Sequence, residues 1–313
     1  MNPKKKLSIV VPIYNEYENI ILLYEAVEKS METERHNYNI EYVFTDNSST
    51  DGSFELIKEL AEKDERIKAY RFSRNFGYQL SIYTGYTMCS GDAAIQLDAD
   101  LQDPPELISK FLRLWEQGYS VVYGIRKSRK ENQIIGLLRK IFYRLLSFIS
   151  EHSLPVDSGD FRLVDKKILN QLRGIKDQNI YLRGCIAEMG YRQIGVEYSR
   201  NKRVNGGSKF DFKNLFKIAG DGIFSHSMAP LRLSGLLGVI GIALSLIFGI
   251  GVLVAFVKYG NEWPRGYASL ILAIMFSLSI NCIMLGIIGE YIGRMYKNQK
   301  NIPLVIIEES ISK

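Results

Sequence analysis

Two aspartates one residue apart, with a third close behind, carry the clearest chemistry in the chain: Asp98-Ala99-Asp100-Leu101-Gln102-Asp103-Pro104-Pro105. They close the apolar run Ala93–Leu97, which reads as a strand, and alternation along a strand puts Asp98 and Asp100 on one face. Like charges that close repel unless a cation sits between them. A hard divalent ion with oxygen ligands, Mg2+ or Mn2+, is the natural occupant. Such an ion clamps a diphosphate leaving group and neutralises the charge that develops on it. Solvated acidic turns also contain Asp-x-Asp, so the weight of the motif comes from its place at a strand end. Two further polar clusters end other apolar runs, Tyr14-Asn15-Glu16 and Asp46-Asn47-Ser48.

The elements that must position these clusters are legible over the first 125 residues. Leu7–Pro12, Ile40–Thr45, Ile67–Phe72, Ala93–Leu97 and Ser120–Tyr123 read as strands. Glu18–Lys29 has helical spacing, and a second helix starts at Asp51-Gly52-Ser53 and runs through Leu60. Strands alternating with helices predict an α/β fold with a mostly parallel sheet, in which ligands sit at the carboxyl ends of the strands. All three polar clusters fall there.

The rest of the chain is of another kind. Residues 126–150 and 208–229 mix lysines and arginines with apolar residues, the pattern of a solvated surface helix or of a helix lying on an anionic membrane. Leu233–Val257 is 25 residues without a charge, about 37 Å as a helix, and Tyr267–Gly289 is a second uncharged run. The short polar connection Lys258–Gly266 makes the two a hairpin, and Arg232, Arg294, Lys297 and Lys300 mark both flanks as cytoplasmic. Met1–Lys6 followed by the brief run Leu7–Ile13 reads as a buried strand rather than a secretory core, so the catalytic part is expected in the cytoplasm. Three scattered cysteines and three scattered histidines give neither a disulfide framework nor a zinc site. The net charge of +6 suits phosphates and anionic lipid head groups.

The stretches Val10-Val11-Pro12-Ile13-Tyr14-Asn15-Glu16, Ser73-Arg74-Asn75-Phe76-Gly77, Asp98 to Pro105, Gly159-Asp160-Phe161-Arg162 and Gly207-Ser208-Lys209 together resemble those of family 2 glycosyltransferases of the GT-A fold. Within them the chain is similar to the polyprenyl-phosphate glycosyltransferases, including bactoprenol glucosyltransferases and dolichol-phosphate mannose synthases. Pro230-Leu231-Arg232 ahead of the two-span hairpin matches the bactoprenol branch. The resemblance implies a GT-A (Rossmann-like) catalytic domain over 1–207, an amphipathic juxtamembrane segment over 208–230, two transmembrane helices within 231–293 and a cytoplasmic tail over 294–313.

The same resemblance implies the roles. Pro12, Tyr14, Glu16, Asp46 and Asp98 line the nucleotide-sugar pocket; Asp100 and Gln102 hold Mg2+ or Mn2+; Arg126, Arg203 and Lys209 meet phosphates of donor or acceptor; Asp160, with Asp100, serves catalysis near the reacting carbon. The reaction implied is inverting transfer of a hexose, glucose from UDP-glucose by the nearest branch, to a polyprenyl phosphate such as undecaprenyl phosphate for modification of the cell envelope. Mannose and amino sugars stay open as donors, as does an inactive membrane scaffold. The implied setting is the plasma or inner membrane, with a homo-oligomer, a flippase and a downstream glycosyltransferase as partners and no nucleic acid. One departure stands out: the family's Asp-Asp-Gly-Ser after the second strand is here Asp46-Asn47-Ser48-Ser49, one carboxylate and one glycine fewer. A processive polysaccharide synthase is disfavoured, because neither Trp115 nor Trp263 follows Gln-x-x-Arg. A nicotinamide oxidoreductase is excluded by the lack of Gly-x-Gly-x-x-Gly after the first strand.

Overall fold

The computed structural model describes residues 4–126, 158–177, 180–201, 266–300 and 302–312, with separate residues between 231 and 258. Its centre is an eight-stranded sheet in the order β7-β5-β6-β4-β1-β2-β3-β8. The strands are β1 (Lys5–Ile13), β2 (Tyr38–Asp46), β3 (Ile67–Phe72), β4 (Ala93–Gln96), β5 (Val121–Arg126), β6 (Ser158–Asp165), β7 (Gln193–Tyr198) and β8 (Ile307–Ile311). Pairs β1–β2, β1–β4, β2–β3 and β5–β7 are parallel; β6 runs antiparallel between β4 and β5, and β8 antiparallel along the edge of β3. All five strands expected from the sequence are present. Strands β6, β7 and β8 were not anticipated.

Period-two alternation divides the interior into two layers. Leu7, Ile9, Val11 and Ile13 of β1, with Tyr42 and Phe44 of β2 and Phe161 and Leu163 of β6, face one core. The helices covering it are α1 (Tyr17–Met31), α2 (Ser53–Lys63) and α4 (Leu107–Glu116). Each reads its apolar face at helical spacing: Ile20, Leu23, Val27, Met31 on α1 and Ile108, Phe111, Leu112, Trp115 on α4. Val10, Val43, Ala94 and Val164 point the other way, into a second core under α3 (Tyr78–Met88), α5 (Lys166–Leu172) and α6 (Leu182–Glu188). Gly85 of α3 lets that helix lie close on β1, since a Cβ there would stand 2.2 Å from Val10 Cγ1.

A long helix, α7 (Tyr267–Gln299), follows. Its stretch Phe276–Gln299 has a mean hydropathy of 1.5 and is long and apolar enough to cross a membrane, by length and composition. Among the described residues it is the one helix that qualifies. The earlier apolar run is described only at separate residues, among them Ile240, Leu244, Ile247 and Leu253, which are helical and exposed. The segment after α7, read from the sequence only as a tail, instead returns to the sheet as β8.

Candidate active site

The carboxyl ends of β1, β2 and β4 converge on one rim of the sheet, and the backbone is strained there. Among the described residues, the non-glycine residues with positive φ are Asn15 (54°), Ser48 (63°) and Leu101 (56°), one beyond each of these strands. Such conformations cost of order 1–3 kcal/mol and persist where surrounding bonds fix them. Those bonds are present. Asn15 N donates to Ser49 Oγ and Asn15 Oδ1 accepts from Thr50 N, both at 2.9 Å. Asn47 N donates to the Ile13 carbonyl at 2.9 Å, and Asn47 Oδ1 accepts from Phe76 N at 2.8 Å. The amide of Asn47, standing where the family has a second carboxylate, thus ties the β2 loop to the Ser73–Gly77 segment. Ser48 carries the positive φ that a glycine would adopt without strain.

The acidic motif does not sit on a strand face. Strand β4 ends at Gln96; residues 99 and 100 turn, and Leu101 has left-handed φ. The expected alternation of Asp98 and Asp100 is therefore replaced by a turn. Asp100, buried, accepts from Gln102 N at 3.1 Å, and the Gln102 carbonyl accepts from Asn201 N at 2.9 Å. Asp98 Oδ1 accepts from Tyr78 Oη at 2.5 Å and from Gln96 Nε2 at 2.8 Å, while Arg200 lies 3.7 Å from Oδ2. Burial, reinforced by Asp103, Asp100 and Asp160 against the Tyr78 bond, pushes the Asp98 carboxyl up to about 6.

Asp160 comes to this rim through strand register. Gln96 pairs with Arg162 across β4 and β6. That is the last pair of the ladder; Asp160 lies two residues before Arg162 on β6, near enough to Asp98 to raise its carboxyl. Arg183 of α6 holds Asp160 with both prongs, Nε to Oδ1 at 2.8 Å and Nη2 to Oδ2 at 2.7 Å. Burial would raise the Asp160 carboxyl, but Arg183, with Arg162 and Arg126 behind it, outweighs that and holds it below the usual carboxylate range. On the same strand Arg162 is buried and donates to the Gly159 carbonyl at 3.0 Å.

Asp103, 1% exposed, organises the opposite wall. Its Oδ1 accepts from Tyr198 Oη, Arg200 Nε is 3.4 Å from Oδ1, and Arg126 Nη2 is 3.8 Å from Oδ2. Arg126 Nε also donates to Tyr198 Oη at 3.3 Å. Gly124 makes room for that tyrosine: a Cβ there would stand 2.6 Å from Tyr198 Cε1.

Of the remaining expected residues, Pro12 and Asp46 are buried at the ends of β1 and β2, and Tyr14 is exposed at the rim. Glu16 Oε2 accepts from Asn19 Nδ2 at the start of α1. Burial holds the Asp46 carboxyl above its ordinary value, against the Ser49 donors and Arg71. Arg203 and Lys209 lie outside the described residues, as do the two basic amphipathic segments apart from Arg126. The structure adds Tyr78, Asp103, Arg183, Tyr198 and Arg200 to the group. Asp103 stands in the acidic motif without a role of its own; Arg200 and Arg183 belong to none of the motifs. By contrast Glu41, buried within β2, is spoken for by Lys6, Ser8 and Ser90, which outweigh burial and hold it at about 2, with Lys68 Nζ 3.1 Å away.

Among the described residues no group of three or more His, Cys, Asp or Glu side chains forms a ready metal cage. Asp100 and Gln102 nevertheless suit Mg2+ or Mn2+ bound with a substrate, because such ions take one or two protein oxygens and complete their shell with phosphates and water. The donors there are all oxygen, and neighbouring carboxylates already crowd one another, as the raised Asp98 records.

A strained rim of acids at the carboxyl ends of a doubly covered, mostly parallel sheet is where open α/β folds bind their ligands. Residues 8–173 match the family described as glycosyl transferase family 2, and the chain belongs to it, with the GT-A fold. It is 38% identical over 309 residues, 97% of its length and 93% of the relative's, to "Uncharacterized glycosyltransferase YkcC" of Bacillus subtilis (strain 168). It is 34% identical, over 97% of its length and 98% of the relative's, to "SfII prophage-derived bactoprenol glucosyl transferase" of Shigella flexneri. Among solved structures it resembles the mannosyltransferase PcManGT of Pyrobaculum calidifontis in complex with GDP-Man and Mn2+, at 16% identity and a TM-score of 0.45, covering 96% of this chain and 89% of that one.

Proposed function

We propose that this glycosyltransferase moves a hexose, glucose from UDP-glucose, onto a polyprenyl phosphate such as undecaprenyl phosphate, with inversion at the anomeric carbon. The observation that carries the reading is the meeting of Asp98, Asp100 and Gln102 with Asp160 at one sheet rim, beside Arg126, Arg183 and Arg200. Relatives named bactoprenol glucosyl transferase, aligned over nearly the whole chain, support the lipid acceptor and the sugar.

In this reading Pro12, Tyr14, Glu16, Asp46 and Asp98 receive the nucleotide, and Asp100 and Gln102 hold Mg2+ or Mn2+. The ion supplies charge neutralisation on the departing diphosphate. The chain's own residues do the rest. A phosphate acceptor has a second pKa of about 6, so it arrives largely ionised and no strong base is needed. Asp160, kept ionised, favours positive charge at the anomeric carbon and orients the acceptor. Arg126, Arg203 and Lys209 meet phosphates at the mouth. Helix α7 and the apolar run 233–257 form a two-span hairpin in the cell membrane, with both chain ends in the cytoplasm; the uncharged length and flanking cations support that arrangement.

The test is transfer of labelled sugar from a panel of nucleotide sugars to undecaprenyl phosphate by the purified full chain, with and without chelator. UDP-glucose is expected to be the best donor, with transfer lost in chelator and restored by Mg2+ or Mn2+. Full transfer in excess chelator overturns the metal assignment; preference for a mannose or amino-sugar donor overturns glucose.

A further inference from the structure

Arg183 belongs to no motif of the sequence, yet it makes the most complete ion pair at the site. One guanidinium takes both oxygens of Asp160, at 2.8 and 2.7 Å, in the parallel fork that arginine alone can offer a carboxylate. The Asp160 side chain is 9% exposed and that of Arg183 is 30% exposed. The pair is thus sealed on the acid's side and open on the arginine's. Other cations face Asp160 without gripping it. Arg162, from the same strand, donates to the Gly159 carbonyl, and Arg126, from β5, is engaged by Tyr198 and Asp103. Among the described residues the remaining titratable groups facing it are Asp98 beyond β4 and Tyr78 and Tyr86 of α3.

The helix that carries Arg183 is itself held in place. Leu182 N, at the first residue of α6, donates to Gln79 Oε1 of α3 at 3.2 Å, and Leu182 and Ile186 are packed in the second core. Gln79 follows Tyr78, whose hydroxyl holds Asp98. Asp98 and Asp160 are therefore held from one unit, α3 with α6.

We propose that Arg183 is the positioning residue for Asp160, fixing the direction in which its carboxylate meets the reacting carbon and coupling it through the α3–α6 contact to the nucleotide side of the pocket. The proposal rests on the reading that Asp160 stands at that carbon. It predicts that Arg183 acts on turnover through Asp160 and leaves donor capture nearly alone.

The experiment is a double-mutant cycle in the full chain in detergent with undecaprenyl phosphate: Arg183→Gln, Asp160→Asn, both together, and Arg183→Lys. Donor and lipid are varied separately, donor affinity is measured by calorimetry, and melting is followed for each variant. Arg183→Gln is expected to lower kcat by about 10- to 100-fold, the scale of an ångström-level misplacement, with donor Kd within about threefold. The double variant is expected to be no slower than Asp160→Asn alone. Arg183→Lys, which keeps the charge but not the fork, falls between. The acid limb of the pH–kcat profile moves to higher pH in Arg183→Gln, because a cation favouring the ionised carboxylate is gone while Arg126 and Arg162 stay. Multiplicative losses in the double variant, an unmoved acid limb, or a change in lipid KM alone overturn the proposal and make Arg183 a substrate-binding cation. If Arg183→Gln does not fold, Arg183→Lys with and without Asp160→Asn gives the same comparison. An Asp160→Asn enzyme as fast as the wild type removes the role of Asp160 itself, and the positioning role with it. Absence of transfer by the unaltered chain from every nucleotide sugar would instead count against the proposed function.

Discussion

Replacing Asp98 by Asn should make the unliganded protein more stable at neutral pH while costing it the donor. Desolvation of this half-buried carboxyl, beside Asp103, Asp100 and Asp160, pushes it from an ordinary 3.8 up to about 6. An acid whose folded pKa lies above its unfolded value binds its proton more tightly when folded. Its contribution to stability is full below the unfolded pKa and is lost as pH rises through the folded one. The gap corresponds to about 3 kcal/mol at pH 7.5, shrinking to about 1 kcal/mol at pH 4.5. Asparagine keeps Oδ1 for Tyr78 and Gln96 and gives up only the charge facing Arg200 at 3.7 Å. For a domain of this size 3 kcal/mol is a rise in melting temperature of up to about 10 °C. The assay is thermal melting of the detergent-solubilised apoprotein in chelator at pH 7.5 and 4.5, paired with calorimetry of UDP-glucose binding. Aspartate at this position is then a stability cost carried for function. An Asp98→Asn protein that melts at or below the wild type at pH 7.5, or a difference that widens toward acid, refutes the reasoning.

Gly124→Ala would set a Cβ 2.6 Å from Tyr198 Cε1 and 3.2 Å from Phe161 Cδ1. Overpacking of this kind costs about 1–3 kcal/mol, and moving Tyr198 loosens Asp103 and Arg126, so both melting temperature and kcat should fall; a variant of wild-type activity would uncouple Tyr198 from the site. Ser48→Gly relieves a left-handed backbone at φ 63° and should stabilise by about 0.5–1 kcal/mol, net of glycine's own entropy cost, as read by denaturant midpoint; destabilisation would mean that the Ser48 side chain contributes more than its strain costs. For topology, Asn261→Cys in the Lys258–Gly266 connection should label from outside intact cells and Ser312→Cys should not; the reverse pattern inverts the hairpin.

The parts of this fold that could be read from the sequence are those where one local signal suffices. Strand β3 was placed at Ile67–Phe72 and β1, β2, β4 and β5 within a few residues, because buried parallel strands read as short apolar runs. Strand β6 escaped because its face alternates Asp160 and Arg162 with Phe161 and Leu163, and a buried charged face hides a strand from any hydropathy pattern. Strand β8 escaped because Ile307-Glu308-Glu309-Ser310-Ile311 is half polar and lies at an edge, where one side meets solvent. Asp98, Asp100, Gln102 and Asp160, expected from their motifs, lie near one another in the fold. The shape of their meeting was not legible: the motif suggested a strand face, whereas Leu101 turns the chain at φ 56°. Arg183 was out of reach altogether, since its partner lies 23 residues earlier on another element and only the packing of α6 joins them.

The return of the chain to the sheet after α7 ties the apolar helix to the elements of the candidate site. Strand β8 pairs with β3 through Ala69–Ile311 to Phe72–Ile307, and the Ile306 carbonyl accepts from Ser73 N at 3.0 Å, at the head of the segment that leads to Gly77 and Tyr78. A second tie runs from Asn298 Nδ2 near the end of α7 to Asp177 Oδ1 at 3.2 Å, in the stretch between α5 and α6. Leu304, between the two ties, packs against the second core, which also holds Leu182 and Ile186. Fewer than ten residues separate Gln299 from Ile307, a reach of at most about 30 Å fully extended. The apolar helix is therefore bound to the catalytic sheet at the edge strand, at the α5–α6 stretch and in the core, rather than joined by a slack linker. An edge strand that would otherwise invite foreign pairing is covered by the same device. Both ties reach elements that hold the acids of the site, α3 through the β3–α3 segment and α6 through its approach. The apolar helix and the elements that carry Asp98 and Asp160 are thus joined at the edge strand and through Leu304.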